Sequence, residues 1–401
     1  MRKRLAVIGG GAAGLSAAIE ARRESKDIEI IIFERMPKCG KKILATGNGR
    51  CNFSNTEATP AFIHGETEFL LSVLSSPFSD SEEFFRSLGM LTYEEDGRLY
   101  PRSQQASTVR DILLNFVNEN YIDVRTETPV TYIKDKDNGF IINDEYFDAV
   151  IICGGGKATP THGSDGSAYK LLTDFGHTCT PLYPALCGLK FKDTDLNLLK
   201  GVRAECLVYL YSEGLIYGME KGEVQFTDKA ISGIPVMNLS YVCENRKDLK
   251  LTLDFCPDLR KNTLRKHIAD TVSNFPETDF EVILNGLVNI KIGYAVMNRC
   301  KIKSHTKCRL ISVKDIDNVV KALKCFNITI TGTKDFNSAQ VTHGGIKTSE
   351  FSKKTLMSKF QNGVFACGEI LDIDGKCGGF NLHFAWTSGR LAGNSAAKYL
   401  K

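Results

Sequence analysis

Short apolar runs that end in glycines recur along this chain, and the clearest one lies near its N-terminus. Residues 5–8 are apolar and run into residues 9–14, which contain four glycines. An alanine-rich stretch follows, and residues 28–33 form a second apolar run that ends at Glu34. This pattern predicts a strand, a helix and a second strand. Because both strands are almost wholly apolar, we expect a parallel sheet that is covered on both faces.

The same pattern returns near the C-terminus. Residues 364–367 predict a buried strand that ends at Gly368 and Glu369. A stretch of small residues with helical character follows Gly378 and Gly379. A strand, a glycine turn and a helix start at each end suggest two halves of one site, and we expect them to meet around a bound dinucleotide.

The middle of the chain carries no glycine fingerprint. Residues 128–133 and 140–142 predict two strands around a polar turn, and residues 147–153 predict a buried strand that is stopped by Gly154 and Gly155. After about residue 188 the pattern changes: residues 202–217 and 249–256 are strand-like, and residues 258–300 are mostly helical. The pattern predicts an α/β fold in which a nucleotide-binding domain is interrupted by an inserted α+β domain. We place the first segment of the nucleotide-binding domain at 1–188, the inserted substrate-side domain at 189–325 and the second segment at 326–401.

Composition narrows the class of protein without giving a function. The 401-residue chain has 51 basic and 47 acidic residues, and its net charge of +4 is too small to favour nucleic-acid or membrane binding. Its 13 cysteines are scattered and no Cys-x-x-Cys occurs, which favours reduced thiols over a redox disulfide. No apolar run is long enough for a transmembrane helix. We therefore expect a soluble cytoplasmic protein, and its oligomeric state stays open.

The glycine spacing near the N-terminus is the first indication of a ligand. Gly9, Gly11 and Gly14 form a Gly-x-Gly-x-x-Gly fingerprint between a predicted strand and a predicted helix. Such glycines let the backbone approach a pyrophosphate, which the N–H groups of a helix N-terminus bind. Glu34 follows Gly14 by 20 residues, where a carboxylate accepts hydrogen bonds from ribose hydroxyls. An acidic residue there favours FAD or NAD over NADP.

Residues 40–52 favour FAD over NAD as the bound dinucleotide. The segment contains Lys41, Lys42 and Arg50 among three glycines and two asparagines, and it has no acidic residue. Such a loop suits anionic phosphates and the polar edge of a ring.

The segment after Gly368 predicts where the reactive ring lies. A helix N-terminus there would stabilise the negative charge that a flavin pyrimidine develops on reduction. Glu369, Asp372 and Asp374 could instead indicate a calcium loop. These carboxylates lack the EF-hand spacing and its final glutamate, so we predict no metal site.

Three long motifs extend this interpretation to a family. The strings GKKILATGNGRCNFSN, AQVTHGGI at 339–346 and GEILDIDGKCGGFNLHFAWTSGRLAG at 368–393 resemble the bacterial flavoprotein family that includes aminoacetone oxidase and the bile-acid 3-dehydro-dienoyl reductase. The resemblance implies a Rossmann-like FAD domain of the two-dinucleotide-binding type with an inserted domain over the flavin. Together with the fingerprint, it implies FAD contacts from Gly9, Gly11, Ala13, Gly14, Glu34, Arg35, Lys41, Lys42, Asn48, Gly49, Arg50, Cys51, Asn52, Val130, Gly154, Gly155, Gly368, Glu369, Asp372, Asn381 and Leu382.

Candidate catalytic side chains are few. His343 lies in a glycine-flanked turn within one of the motifs and is a candidate proton donor, although a structural role is the alternative. Cys51 is a candidate thiol near the flavin, with buried packing as the alternative. His383 lies in the first turn of the predicted last helix, where it could cap or pack. Hydride transfer is the chemistry of the cofactor, so little acid–base help is needed.

These observations predict an FAD-dependent oxidoreductase that acts on a small organic molecule. In one version NAD(P)H reduces the flavin transiently, and an activated carbon–carbon double bond is then reduced. In the other, an amine or amino ketone is oxidised and dioxygen is the final acceptor. A rival of another class is an RNA-associated FAD protein, which only the slight basicity and the lysine-rich stretch 291–324 support.

Overall fold

The computed structural model describes residues 2–243 and 246–401, which form two compact units. The first unit comprises Met1–Pro184 and Ala339–Lys401, and the second comprises Ala185–Ser338. The second unit is thus an insertion into the first. The units change at 184/185 and 338/339, whereas the sequence pattern predicts 188/189 and 325/326.

The secondary structure alternates strands and helices in the first unit and is richer in strands at the start of the second. The strands are β1 (Arg4–Ile8), β2 (Glu29–Phe33), β3 (Ser54–Asn55), β4 (Ile63–His64), β5 (Thr92–Glu95), β6 (Arg98–Pro101), β7 (Asp123–Arg125), β8 (Ile133–Lys136), β9 (Gly139–Ile142), β10 (Glu145–Phe147), β11 (Ala149–Ile152), β12 (Tyr183–Ala185), β13 (Leu189–Phe191), β14 (Arg203–Ser212), β15 (Leu215–Thr227), β16 (Ala230–Ser232), β17 (Lys250–Asp254), β18 (Phe326–Thr333), β19 (Val341–His343), β20 (Val364–Ala366) and β21 (Asp374–Gly375). The helices are α1 (Ala12–Glu24), α2 (Lys41–Leu44), α3 (Thr67–Leu74), α4 (Ser81–Ser87), α5 (Ala106–Glu119), α6 (Tyr169–Thr173), α7 (Ile234–Asn238), α8 (Lys261–Asn274), α9 (Phe280–Asn285), α10 (Ile290–Arg299), α11 (Val313–Lys324) and α12 (Phe380–Leu400). Within the described residues, no helix combines the length and the apolarity that crossing a bilayer requires.

A five-stranded parallel sheet is the centre of the first unit. Its strand order is β20-β11-β1-β2-β7, so strands from both sequence segments share one sheet. Almost every residue of β1, β2 and β11 is buried, as their apolar runs predict. The predicted α/β class with a parallel sheet is confirmed. Because the strands are parallel, the segments that follow β1, β11 and β20 leave from the same edge of the sheet.

The helices that follow β1 and β20 pack closely against each other. A Cβ atom on Gly389 would lie 2.4 Å from the carbonyl oxygen of Ala13, and one on Gly393 would lie 2.1 Å from that of Ala17. Only glycine permits such an approach of two helix backbones. Contacts advance in the same direction along both helices, so α1 and α12 are parallel and begin at the same edge of the sheet.

The inserted unit is built on a closed antiparallel barrel of order β13-β16-β15-β14-β17-β18. The barrel core continues into α8, α10 and α11, which contribute Leu264, Val296 and Val319. β18 pairs with both β13 and β17, and the barrel closes only when this strand is in place. For this reason the residues just after 325 lie in the inserted unit.

Two predicted strands differ from the observed ones. The strand expected at 128–133 is β8, which begins only at Ile133 and continues through three exposed charged residues. β8 is an edge strand, where charged side chains are tolerated and discourage further pairing. The strand expected at 147–153 is divided at Asp148, whose carboxylate accepts the backbone N–H of Arg4 at 2.8 Å. β10 and β11 consequently belong to different sheets.

Candidate active site

Residues 9–14, together with Glu34, form the N-terminal turn. Gly9 has a φ of +110°, and a Cβ there would lie 2.6 Å from the carbonyl oxygen of Cys153. A Cβ on Gly14 would lie only 1.8 Å from the carbonyl oxygen of Gly9. The first and last glycines of the fingerprint are therefore required by backbone packing between β1, α1 and the end of β11.

The middle glycine of the fingerprint, Gly11, is not packed against other backbone. A Cβ on Gly11 would meet no described atom within 4 Å. Gly11 is also the N-cap of α1, and no side chain of the described residues caps the helix there. Backbone N–H groups and the positive end of the helix dipole thus face open space, which fits a pyrophosphate.

Glu34 ends β2 and holds the N-terminal turn in place. Its Oε2 accepts the N–H of Gly10 at 2.8 Å, and its Oε1 accepts the N–H of Met36 at 2.7 Å. Burial raises the pKa of Glu34, and the N–H groups of Met36 and Gly10 oppose this shift. A carboxylate at this position can accept further hydrogen bonds, so the arrangement is compatible with the predicted ribose ligand.

Residues 40–52 form a tight loop that begins with α2 and leads to β3. Gly40, Gly47 and Gly49 have positive φ, and so do Asn48 and Cys51. After the short helix α2, this backbone turns repeatedly through left-handed conformations, which suits a loop that surrounds a ligand.

Lys42 connects this loop with the end of β20. Its Nζ lies 2.6 Å from Oε2 of Glu369, and both side chains are partly buried. Oε1 of Glu369 accepts the N–H of Thr342 at 2.9 Å, and the Thr342 hydroxyl oxygen accepts the N–H groups of Lys157 and Ala158. The structure therefore brings together three segments that the sequence singled out: the loop, the residues after Gly154 and Gly155, and the segment after Gly368.

Residues 368–379 form the C-terminal loop, which leads from β20 into α12. A Cβ on Gly368 would lie 2.7 Å from the Cβ of Ala13, so this loop touches the N-terminal turn directly. Gly379, with a φ of +93°, is the N-cap of α12. The Asn381 side chain exchanges two 2.8 Å hydrogen bonds with the backbone of Gly375 and so fixes the loop ahead of the helix.

One orphaned polar atom marks the space beside this helix start. Oδ1 of Asn52 is buried and has no hydrogen-bond partner among the described residues. A Cβ on Gly379 would come within 2.7 Å of it. Buried amide oxygens are almost always satisfied, so an N–H of a bound ring would complete this site. The residues present therefore fit a flavin at the start of α12.

Some residues predicted to contact FAD bind other side chains of the protein instead. Arg35 pairs with Asp165 and donates to the Ser167 hydroxyl at 3.0 Å. Arg50 pairs with Glu95 at 2.8 Å, bonds the Tyr93 hydroxyl, and lies over the Tyr100 ring at 4.4 Å from its centre. These partners direct both guanidinium groups toward the protein, and their contacts with FAD stay predictions. So do those of Lys41, Val130 and Leu382, which are at least partly exposed.

The three acidic residues of the C-terminal loop have three different partners. Glu369 pairs with Lys42, and Asp372 accepts the Thr180 hydroxyl at 3.1 Å. Burial raises the pKa of Asp372. The third, Asp374, lies between two histidines. The carboxylates thus do not converge as the ligands of a calcium loop do.

Cys51 and His383 are both buried, which favours their structural alternatives. Burial raises the pKa of Cys51 to about 12, so its thiol stays protonated at neutral pH. Nδ1 of His383 lies 2.8 Å from the Ser54 hydroxyl and 3.2 Å from that of Ser81. Burial lowers the pKa of His383 to about 4, so it is a neutral packing residue.

His343 lies at the end of β19 and is joined by a residue that the sequence pattern did not reveal. Its Nδ1 is 2.6 Å from Oδ1 of Asp374, while Nδ1 of His64 is 3.0 Å from Oδ2 of the same carboxylate. β4 and β21 pair antiparallel, which places His64 opposite Asp374. His64 was missed because two-residue strands have no recognisable hydrophobic pattern.

Comparison with known proteins agrees with this geometry. A family model described as the HI0933-like protein Rossmann domain matches residues 3–395. The chain is 36% identical over 405 residues to the 3-dehydro-bile acid delta(4,6)-reductase of Clostridium scindens, which covers 98% of this chain and 99% of that protein. It is 25% identical over 395 residues to the ribosomal RNA dihydrouridine synthase of Haemophilus influenzae, with 95% of each chain covered.

A solved structure shares the fold across the whole chain. The 3-ketosteroid delta1-dehydrogenase of Sterolibacterium denitrificans, in complex with 1,4-androstadiene-3,17-dione, matches with a TM-score of 0.50 and 12% identity, and the match covers 98% of this chain and 99% of that chain. Fold and site together define an FAD-dependent oxidoreductase. More narrowly, the chain belongs to the HI0933-like Rossmann family, and the resemblance inferred from its motifs is confirmed.

Proposed function

We propose that this protein reduces a carbon–carbon double bond conjugated to a carbonyl group in a small organic molecule, with NAD(P)H as the electron donor. The observation that carries the proposal is the whole-length relationship, at 36% identity, to a reductase that acts on a 3-dehydro-bile acid. A double bond of this kind accepts hydride at the carbon β to the carbonyl. Bound FAD supplies the hydride chemistry.

The chain's own residues bind and orient the cofactor in this proposal. The open N–H groups around Gly11 hold the pyrophosphate, and Glu34 accepts hydrogen bonds from the adenosine ribose. Asn52 and the N-terminus of α12 hold the polar edge of the flavin. Lys42 and Glu369 fix the loop between these two ends, so that the ring is held in one orientation.

The electron donor is proposed to bind only transiently. The sequence carries one complete glycine fingerprint, at Gly9, Gly11 and Gly14, and this one is assigned to FAD. A separate nicotinamide-binding domain of the Rossmann type would need its own fingerprint. NAD(P)H therefore visits the flavin in the space that the substrate occupies later, and the two half-reactions alternate.

Reduction of uracil in ribosomal RNA is a second candidate function. The whole-length relative from Haemophilus influenzae is named for that activity, and the uracil double bond is also conjugated to a carbonyl. The same chemistry would thus serve a different substrate class. The small net charge of +4 favours the small molecule, because RNA-binding surfaces carry a marked excess of Lys and Arg.

Anaerobic flavin bleaching tests these alternatives. The FAD-loaded protein is mixed with NADH or NADPH, and the loss of visible flavin absorbance is followed. The bleached protein is then mixed with a 3-dehydro-4,6-diene bile acid, unmodified ribosomal RNA or dioxygen. Fast return of colour with the bile acid, together with formation of its dihydro product, supports the proposal. Fast return with dioxygen alone indicates an oxidase, and dihydrouridine in the RNA indicates the second candidate.

A further inference from the structure

Two histidines share one buried carboxylate in the first unit. His343 and His64 each place Nδ1 within hydrogen-bond distance of a different oxygen of Asp374, at 2.6 and 3.0 Å. The two rings lie nearly perpendicular with their centres 6.1 Å apart. The proposed function assigns these three residues no role in binding FAD.

The Asp374 carboxylate is the buried acceptor that orients both histidines. Asp374 is 2% exposed, whereas the side chains of His64 and His343 are about a quarter exposed. Burial alone would raise the pKa of Asp374, but hydrogen bonds from His343 and His64 outweigh it, and the pKa is lowered. Asp374 therefore stays ionised and accepts an Nδ1–H from each ring. This fixes Nε2 as the atom of each imidazole that exchanges a proton.

The short distances favour hydrogen bonds over a metal ion. Ligand atoms around a tetrahedral zinc stand about 3.3 Å apart, because each lies about 2.0–2.1 Å from the ion. Both Nδ1–Oδ distances are shorter than that and fit N–H···O bonds. Asp374 is thus a hydrogen-bond acceptor for both rings.

The cluster borders the proposed flavin site on two sides. The residue before His343 is Thr342, whose N–H donates to Glu369. The residue after Asp374 is Gly375, which the Asn381 side chain holds at the start of α12. One chain neighbour of each partner therefore contacts a residue assigned to FAD.

We infer that His343 is the proton donor of the reaction, that Asp374 positions it, and that His64 holds the second oxygen of the same carboxylate. The inference rests on the proposed function. Hydride from NAD(P)H reaches the β carbon, and the electron pair of the double bond moves to the α carbon and the carbonyl oxygen. The proton on Nε2 of His343 then forms the new C–H bond at the α carbon. Solvent returns a proton to the cluster, so one NAD(P)H and one proton are consumed for each double bond reduced.

The charges around His343 suit this role. Asp374 faces it from β21 and Asp372 from the same loop, while His64 approaches from β4. The Asp374 carboxylate binds both rings through a different oxygen for each, and so orients both imidazoles.

The kinetic test compares two electron acceptors in the same FAD-loaded variants. The 3-dehydro-4,6-diene bile acid needs a proton on carbon, whereas ferricyanide needs none. We expect His343→Gln to lower the ratio of the bile-acid rate to the ferricyanide rate about 100- to 1,000-fold, Asp374→Asn about 10- to 100-fold, and His64→Gln about 3- to 10-fold. His305→Gln is the matched control, because His305 forms a similar pair with Asp279 on the exposed surface of the inserted unit. An unchanged ratio in His343→Gln overturns the inference.

A second readout does not depend on turnover. Nitrogen-15 NMR of the histidine rings in the FAD-loaded protein reports which ring nitrogen carries the proton. We expect His64 and His343 to be Nδ1–H tautomers when neutral, and Asp374→Asn to disturb both signals while leaving that of His305 unchanged. An Nε2–H tautomer at His343 contradicts the inference.

The two proposals fail in different ways. If the unsubstituted protein reduces no conjugated double bond, the proposed function fails and the donor assignment falls with it. If the protein reduces the bile acid and His343→Gln keeps the same ratio of rates, the function stands and the donor assignment fails.

Discussion

The N-terminal turn and the C-terminal loop have the same outline, a parallel strand, glycines and a helix start, but they are held by different forces. In the N-terminal turn, Gly9 and Gly14 let backbone pack on backbone, and the one acidic side chain binds backbone N–H groups. In the C-terminal loop, Glu369, Asp372 and Asp374 each bind a side chain from elsewhere in the unit. The first is built to accept an anion, and the second is built to place titratable groups.

Loop length explains much of this difference. Only three residues separate the end of β1 from the start of α1, which leaves no room for functional side chains. Between β20 and α12 there are thirteen residues, enough to carry a polar network and the short strand β21. Similar sequence patterns thus produce sites with different chemistry, and the connection between strand and helix decides which.

The largest effect is expected at the point where the N-terminal turn is packed most tightly. Gly14→Ala would place a methyl group 1.8 Å from the Gly9 carbonyl oxygen, which has no room to move. We expect a loss of about 4 kcal/mol or more in the free energy of unfolding, measured by urea titration. Gly11→Ala is the control, since its methyl group meets no described atom, and it should cost about 1 kcal/mol or less while lowering FAD retention. Equal destabilisation by both substitutions would contradict the assignment of Gly14 to backbone packing and of Gly11 to the pyrophosphate site.

The next largest effect is on FAD binding, which should depend on Glu34 of the N-terminal turn and not on His343. Glu34→Ala removes the proposed ribose ligand and should weaken FAD binding about 10- to 100-fold, as expected for hydrogen bonds to a charged group. His343→Ala should leave FAD retention intact, because the cluster with Asp374 is proposed to face the substrate. Ultrafiltration followed by flavin fluorescence measures the retained fraction. Full occupancy in Glu34→Ala would remove the ribose assignment.

A smaller effect concerns stability in acid, in which His383 of α12 and Glu34 of the N-terminal turn act in opposite directions. The pKa of His383 is lowered from 6.5 to about 4 by burial, so an unfolded chain binds its proton more readily than the folded one. This contribution to stability is complete above pH 6.5 and is lost as the pH falls toward 4, with a loss of roughly 2 kcal/mol at about pH 5. Glu34 acts in the opposite direction, because burial raises its pKa and folding then favours its protonated form.

Urea titrations at about pH 7.5 and pH 5 measure this effect. His383→Gln should lose most of the difference between the two pH values, whereas His305→Gln, at an exposed position, should keep it. A pH response that is the same in all three proteins would show that His383 is not the buried base.

The smallest expected change is at Cys51, whose thiol should react very slowly with alkylating reagents. With a pKa raised to about 12, Cys51 has a thiolate fraction of about 10⁻⁴ at pH 8. Iodoacetamide labelling followed by mass spectrometry should modify the exposed Cys325 at least about 100-fold faster than Cys51. Rapid labelling of Cys51 in the folded protein would return it to the list of reactive candidates.

Local patterns predicted the parts of this fold that local physics determines. The apolar runs of β1, β2 and β20 and the glycines of the fingerprint were recognisable because burial and backbone freedom restrict the residue types at each position. The FAD cofactor followed from the same glycines and from the longer motifs. Edge strands such as β8 were less predictable, because their exposed charges hide the alternation that marks a strand.

The side-chain pairs of the site could not be predicted, because they join residues that are far apart in the sequence. Lys42 and Glu369 are 327 positions apart, and His64 and Asp374 are 310 apart, so their meeting depends on the register of the whole unit. The barrel strand β18 was assigned to the wrong side of the predicted boundary. Residues 326–333 alternate buried apolar and more exposed polar side chains, unlike the apolar runs of the parallel sheet, so the period of this strand was the signal for its place in the barrel.

The parallel contact between α1 and α12 has a consequence for the synthesis of this protein. Arg390 of α12 pairs with Glu20 of α1 across 370 positions. At a translation rate of about 5–20 residues per second, the ribosome delivers α12 roughly 20 to 70 s after α1. During that interval the glycine-contacting face of α1 is uncovered and the nascent chain has only half of its cofactor site. The proposed FAD contacts from the two ends of the chain can therefore act together only after α12 has left the ribosome.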